Sequence, residues 1–198
     1  MLVVSDVYTL PDLLARAVNE HPDSDIVVFP NSRTTFTELY ERASKAARSL
    51  KAIGINQGDS VGILMSNCIE FVDLLLGSQL IGAIPVPINA RYKAKELAYV
   101  IDDAGLKVLA TTDRIVEHVD FVNLLQEAFP DLENQADPMR LELSEARNLN
   151  SIILFGERMP TGMLDTETFE TLSKNIDEEA IEISRSRLQV RDIAMMMY

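Results

Sequence analysis

The stretch KAIGINQGDSVGILMSNCIEFVDLLLGSQLIGAIPVPINAR, Lys51 to Arg91, decides the fold. Val61-Gly-Ile-Leu-Met65 is a short apolar run behind the turn residues Gln57-Gly58-Asp59. Such a run suits a strand buried on both faces. Asn67 stands three residues before Glu70, a spacing that predicts an N-cap. The helix that follows is apolar on nearly every face (Ile69, Phe71, Val72, Leu74, Leu75, Leu76, Leu80, Ile81), so most of its sides should be covered. Ala83-Ile-Pro-Val-Pro-Ile88 comes next. Its two prolines remove two ladder donors and place that strand at an edge. Strand, helix and strand in this length imply a right-handed crossover and a parallel pair.

Outward from this unit the same alternation continues. Thr9 caps a first helix that His21-Pro22 stops. Ile26–Phe29 and Arg33–Thr35 flank Pro30-Asn31-Ser32 and read as a hairpin. Thr35-Phe-Thr-Glu38 is a capping box for a helix running to about Ile53, with Gly54 as its stop. On the other side, Ala94 to Ala104 is helical, Lys107–Thr111 a buried strand, and Arg114 to Phe129 a helix broken by Pro130. Residues 131–150 are polar and acidic and read as an excursion with one short helix near Met139 to Ala146. Ser151–Phe155 is a strand, and Thr166 to Asn175 a short helix. Asp177 to Arg191 reads as charged and exposed, and the apolar run Ile193 to Tyr198 as a fifth core strand. A buried strand without a polar tail reads as the end of a fragment with an open sheet edge.

Composition bounds function. The chain has 198 residues, enough for one domain with a real core. Its net charge of −13 argues against nucleic acid and anionic membrane surfaces, which want clustered Lys and Arg. One cysteine, Cys68, excludes an intrachain disulfide and a cysteine metal cluster. There is no signal-peptide pattern and no plausible membrane span, so a cytoplasmic location is expected.

Each chemistry-bearing residue has a plainer structural reading. Gly54, Gly58 and Gly62 fit neither a dinucleotide fingerprint nor a Walker loop, and a stop and a turn explain the first two. His21 and His118 have no partner at catalytic or metal spacing. Cys68 sits in the first turn of the central helix, where the helix dipole lowers a thiol pKa, but small-residue packing is preferred to a reactive role. Asp102-Asp103 and Asp177-Glu178-Glu179 read as solvated helix ends or loops, not carboxylate sites. Ser66 lacks a G-x-S-x-G context, and Met195-Met-Met197 reads as core.

Three segments together resemble the adenylate-forming superfamily of acyl- and aryl-CoA synthetases, luciferases and peptide-synthetase adenylation domains. They are Thr35-Phe-Thr-Glu-Leu-Tyr40; the central Gly58-Asp-Ser-Val-Gly-Ile63, Asn67, Glu70-Phe71 and Gly82-Ala-Ile-Pro-Val-Pro-Ile-Asn89, continued by Glu96–Ala104; and Asp192-Ile-Ala-Met-Met-Met-Tyr198. Pro87-Ile88-Asn89 is closer to the acyl- and aryl-CoA synthetases.

The resemblance implies an α/β fold: a layered parallel sheet of flavodoxin-like type with flanking helices and a small N-terminal hairpin. Residues 1–198 would be the N-terminal portion of the large AMP-binding domain, with 131–150 an acidic excursion and the remaining large domain and the C-terminal domain absent. It implies a ligase that uses ATP, Mg and coenzyme A to convert a carboxylic acid, a fatty acid being the expected class, to an acyl-adenylate and then a thioester. The family's Thr/Ser/Gly-rich phosphate loop ending in Pro-Lys-Gly follows the motif that closes here at Tyr198. This stretch alone is therefore expected to be inactive and to bind none of these cofactors tightly. No catalytic, cofactor-binding or metal residue is assigned in it. Arg114 is the one basic residue at a place where some relatives meet the 3′-phosphate of CoA, and a surface role is preferred for it. The open strand edge could drive self-association. The competing classes are a stand-alone non-catalytic α/β interaction module and a Rossmann-like binder, the latter without its glycine fingerprint.

Overall fold

A computed structural model describes residues 9–115 and 118–198. The chain is a five-stranded parallel sheet between two helical layers, with a separate two-stranded hairpin. In chain order, α1 (Leu10–Glu20) leads into the antiparallel hairpin of β1 (Asp25–Phe29) and β2 (Ser32–Thr35). Then come α2 (Phe36–Ala52), β3 (Ser60–Leu64), α3 (Ile69–Leu80), β4 (Ile84–Pro87), α4 (Ala94–Asp103) and β5 (Leu106–Thr112). The second half holds α5 (Phe121–Ala128), a 3-10 turn at Pro130–Asn134, β6 (Ser151–Phe155), β7 (Leu164–Asp165), α6 (Thr166–Leu172) and α7 (Glu178–Ser186).

The strand order β4-β3-β5-β6-β7 is parallel throughout. The proline-bearing strand is at the edge, as its missing donors require. Alternation assigns side chains to the two faces. Leu64, Leu109, Ile152 and Leu154 face α4 and α5. Val61, Ile63, Val108, Ala110, Ile153 and Phe155 face α2 and α3. In α3, Gly77 makes the approach of α2 possible: a Cβ there would lie 2.8 Å from the Ala43 carbonyl oxygen. The capping box at Thr35 exists, with Thr35 Oγ1 accepting from Glu38 N–H, and Thr9 closes one of its own with Asp12, Thr9 Oγ1 accepting from Asp12 N–H. Gly54 takes φ +92°, as its place after α2 demands.

Several expectations need correction. Cys68, not Asn67, is the N-cap of α3, and it makes no side-chain cap bond. Asn67 is exposed in the preceding loop. Helix α5 starts only at Phe121, because Asp120 accepts from Asn123 N–H and caps it there. Arg114 and Ile115 lie in a turn before it, and residues 116–117 of the expected helix lie outside the described residues.

No helix forms over Met139–Ala146. The excursion instead buries Leu132, Leu141, Leu143, Ala146 and Leu149 against the α4/α5 face. Gln135 substitutes for secondary structure there: its Nε2 donates to the Asp131 and Glu142 carbonyls, and its Oε1 accepts from Glu142 N–H.

Residues 178–186 form α7, whose Ile181 and Arg185 are buried. Arg185 reaches Asp12 of α1 at 2.6 Å, with both side chains almost fully enclosed. The Tyr40 hydroxyl donates to Glu182 of the same helix, and burial followed by that carboxylate drives the Tyr40 pKa upward.

Ile193–Tyr198 is not a fifth core strand. It is an irregular segment with Ile193, Met195, Met197 and Tyr198 exposed. Only Met196 donates to the edge strand, at the Pro85 carbonyl (3.1 Å). An edge carrying two prolines offers too few N–H groups to pair a further strand continuously. Tyr198 donates to Asp103 at 2.7 Å, and that carboxylate pushes its phenol up to about 12.

Candidate functional site

The chain leaves β3 toward β4 on one side and resumes at β5 on the other, so its direction of growth reverses between β3 and β5. In open parallel sheets the crevice beyond the carboxyl ends at such a reversal is the usual ligand position. The loops that meet there are Met65–Cys68 after β3, Asp113–Ile115 after β5 and Gly156–Arg158 after β6.

Two threonines tie the strand ends together. Thr111 Oγ1 donates to the Leu64 carbonyl at 3.0 Å, and Thr112 Oγ1 to the Phe155 carbonyl at 2.7 Å. Thr112 Oγ1 also accepts from Arg114 N–H at 3.2 Å, which turns the chain out of the sheet. Asp113 then accepts from the N–H groups of Glu157 (3.1 Å) and Arg158 (2.8 Å). Gly156 leaves the room for it: a Cβ would lie 1.8 Å from Asp113 Oδ1. Arg158 closes the outer side on Asp120 at 2.8 Å.

Arg114 Nη1 donates to Glu70 Oε1 at 2.5 Å. Glu70 is in the first turn of α3, where the free N–H groups favour a carboxylate. Its second oxygen, Oε2, is buried without a partner. Burial pushes the Glu70 pKa up, but the Arg114 guanidinium and the residue's own backbone N–H outweigh it and hold it below the ordinary carboxylate value. One turn on, Asp73 accepts from Arg42 Nη2 at 2.6 Å, yet burial wins and its pKa is raised. Cys68 lies beside them, and burial raises its thiol pKa, against the dipole expectation. It is a packed cap residue, not an activated nucleophile.

The other sequence candidates stand elsewhere. His21 is the C-cap of α1, and His118 is exposed in the loop before α5. Asp102-Asp103 ends α4, and Asp177-Glu178-Glu179 opens α7. Gly62 is a strand residue that Leu106 packs against, with a Cβ position only 2.4 Å from that side chain. Among the described residues, no group of three or more His, Cys, Asp or Glu could hold a metal ion. What sequence reasoning missed was Glu70 as the partner of Arg114. Its position as the first-turn acid of a helix leaving the central strand was the available signal.

What this rim can do chemically is limited. It presents two guanidiniums, Arg114 half exposed and Arg158 held by Asp120, over a framework of N–H groups already used by Asp113. An anion at Arg114 would share a guanidinium whose Nη1 is already spent on Glu70.

A parallel sheet with helices on both faces and its loops gathered at a switch point defines an α/β protein of the ligand-binding, open-sheet class. The chain belongs to the AMP-binding enzyme family, whose profile matches residues 14–198. Among its relatives, YngI of Bacillus subtilis strain 168, whose name assigns it to the acyl-CoA synthetases, is 29% identical over 96% of this chain and 35% of its own. Human mitochondrial medium-chain acyl-CoA ligase ACSF2 is 28% identical over 84% of this chain and 27% of its own. The crystal structure of the long-chain-fatty-acid-CoA ligase FadD1 from Archaeoglobus fulgidus superposes on all of this chain with a TM-score of 0.68 at 19% identity, covering 35% of that protein. The chain thus spans about a third of the length of such relatives.

Proposed function

We propose that this chain is the N-terminal portion, residues 1–198, of the large AMP-binding domain of an ATP-dependent carboxylate–CoA ligase of the fatty-acyl type. The observation that carries the reading is the family match over 14–198, joined to the relatives' names. In the parent, a carboxylate oxygen attacks the α-phosphorus of ATP and pyrophosphate leaves. The thiolate of coenzyme A then attacks the acyl carbon and AMP leaves. Magnesium, ATP and CoA are the parent's cofactors, and a cytoplasmic location is part of the reading. No helix of the described residues is long and apolar enough to cross a membrane.

The residues present do not fit magnesium or the triphosphate. Glu70 is committed to Arg114, and Asp113 to two backbone N–H groups. The sequence holds no glycine-rich loop that could wrap phosphates. No step is assigned to them. The rim residues of this chain hold strand ends and loops in register, and the 198 residues alone are expected to be inactive.

The test is ATP–pyrophosphate exchange with a panel of fatty and aromatic carboxylates, on this chain and on the product of its reading frame continued past Tyr198. The expected result is exchange, followed by thioester formation with CoA, only in the longer protein. Exchange by the 198 residues would overturn the inactivity. A longer protein silent with every acid would overturn the ligase reading, in favour of a non-catalytic α/β interaction module. Self-association through the exposed C-terminal segment Ile193–Tyr198 is a further part of the proposal, and sedimentation that stays monomeric at high concentration would remove it.

A further inference from the structure

The methionines among the described residues fall into three groups by burial. Met65 and Met163 are buried in the core. Met139, Met159, Met195 and Met197 are exposed, Met197 at 73%, so an oxygen added to their sulfur meets water. Among them only Met196 is between: a residue partly open to solvent whose side chain packs on the core of the α4/α5 face. From Ile193 to Tyr198 the chain crosses the β4 edge on a few bonds. Gln79 Nε2 donates to the Ala194 carbonyl at 2.8 Å, Met196 N–H to the Pro85 carbonyl at 3.1 Å, and the Tyr198 hydroxyl to Asp103 at 2.7 Å. Ile193, Met195, Met197 and Tyr198 are exposed, so Met196 is the large apolar side chain that anchors this segment.

We propose that Met196 is an oxidation site: a peroxide converts its thioether to the sulfoxide, and the sulfoxide releases Ile193–Tyr198 from the β4 edge. The sulfur lone pair attacks one oxygen of hydrogen peroxide, the O–O bond breaks, and water leaves after proton transfer. Sulfur is oxidised and the peroxide reduced. The new S–O group is a polar acceptor, and the side chains it would face in this core are apolar. Keeping it there without a hydrogen bond costs free energy that hydration avoids. The side chain therefore turns out to water, and the packing that supports the Met196–Pro85 bond goes with it. Met195 and Met197, already exposed, take up the same oxygen without that effect. Thiol-driven methionine sulfoxide reductases reverse the change. The release is independent of the ligase reading.

The experiment treats the full chain with hydrogen peroxide, maps sulfoxides by peptide mass spectrometry and follows amide exchange at residue 196. Met195 and Met197 should oxidise first, as the more exposed, and leave that exchange unchanged. Sulfoxide at Met196 should then speed it by about tenfold or more, the worth of a buried polar group without a partner. Strands β3 and β5 should stay protected, and sulfoxide reductases should restore the protection at residue 196. Met196→Leu keeps the apolar volume and should keep full protection at the same peroxide dose. Full protection in chains that carry Met196 sulfoxide, or an equal loss in Met196→Leu, would overturn the proposal. So would a Met196 that stays reduced after Met195 and Met197 are fully oxidised. Should Met196→Leu not fold, the double variant Met195→Leu, Met197→Leu decides. Peroxide should release its segment as in the native chain, and a segment that stays protected overturns the assignment to Met196.

Discussion

The two faces of the sheet are closed by different means. On one, α2 and α3 pack with Ala43, Ala46, Ala47 and Gly77 between them, so that backbone approaches backbone. On the other, α4 and α5 cover part of the sheet and an irregular segment covers the rest, with Leu141, Leu143, Ala146 and Leu149 buried from a stretch without helix or strand beyond one 3-10 turn. The helical face satisfies its backbone within helices. The irregular face satisfies part of its own through Gln135, through Ser151 Oγ on the Pro138 carbonyl, and through Asn150 N–H on the Lys107 carbonyl. Apolar burial therefore does not depend on regular structure, provided polar side chains supply the missing partners.

The sharpest way to break that comparison is to delete one leucine from each face. Leu74 of α3 is fully buried, and Leu143 of the irregular segment is 3% exposed. Leu→Ala at each is expected to cost about 3–4 kcal/mol in denaturant unfolding. If Leu143→Ala costs under about 1 kcal/mol, the segment is a loose cover and the two faces are not equivalent.

A second variant probes how α7 joins the helical face. Asp12→Ala leaves Arg185 buried, with Glu182 still 2.9 Å from its Nη2. The expected loss is about 3 kcal/mol, the lower part of the range for a broken buried pair because one carboxylate remains. Protease sensitivity should rise in α1 and α7 together. A loss confined to α1 would mean that the pair does not couple them.

How much of this was visible beforehand follows the same division. Strands β3 to β6 and helix α2 were legible because local signals agreed: apolar runs between turn residues, a capping box at Thr35 and Glu38, and prolines that fixed the edge strand. Helix α7 was not, since its inward positions are one isoleucine and one arginine. A charged residue reads as outward until Asp12, 173 positions away, is known to meet it. The excursion misled because its leucines follow neither a helical nor a strand period, and composition alone marked it as solvent-facing. The tail misled in the opposite sense: its run of methionines looks buried, but the edge it lies on has too few donors to hold it. At the rim, Arg114 stood out in the sequence, while Glu70, 44 residues away, becomes its partner only through the β3–β5 pairing.

The rim itself yields a smaller effect. Gly156→Ala puts a methyl group where Asp113 sits, so the carboxylate must swing away from the Glu157 and Arg158 N–H groups. A cost of about 1–2 kcal/mol is expected. Amide exchange should speed up in the loops after β5 and β6 and leave α2 and α3 unchanged. Equal acceleration in α2 would show that the rim and the helical face are one cooperative unit.

The smallest expected effect is the most specific. Arg114→Gln removes a half-exposed ion pair and should cost less than about 1 kcal/mol at neutral pH. Glu70 has a folded-state pKa below its ordinary value, so its contribution is present above the ordinary carboxylate pKa and is lost as pH falls through the lowered one. The difference between the native chain and Arg114→Gln should therefore shrink toward zero in acid. Asp73, one turn further along α3, has the opposite sign: burial raises its pKa, so its contribution is full below the ordinary value and lost as pH rises through the raised one. The native chain's stability relative to Asp73→Asn should accordingly fall, not grow, from acid to neutral pH. Two carboxylates on one helix then titrate against each other. One is drawn toward ionisation by a rim arginine and its own backbone N–H, and the other is held back by the packing of the helical face. Parallel pH slopes for the two variants would mean that the rim environment and the interhelical environment do not differ at these residues.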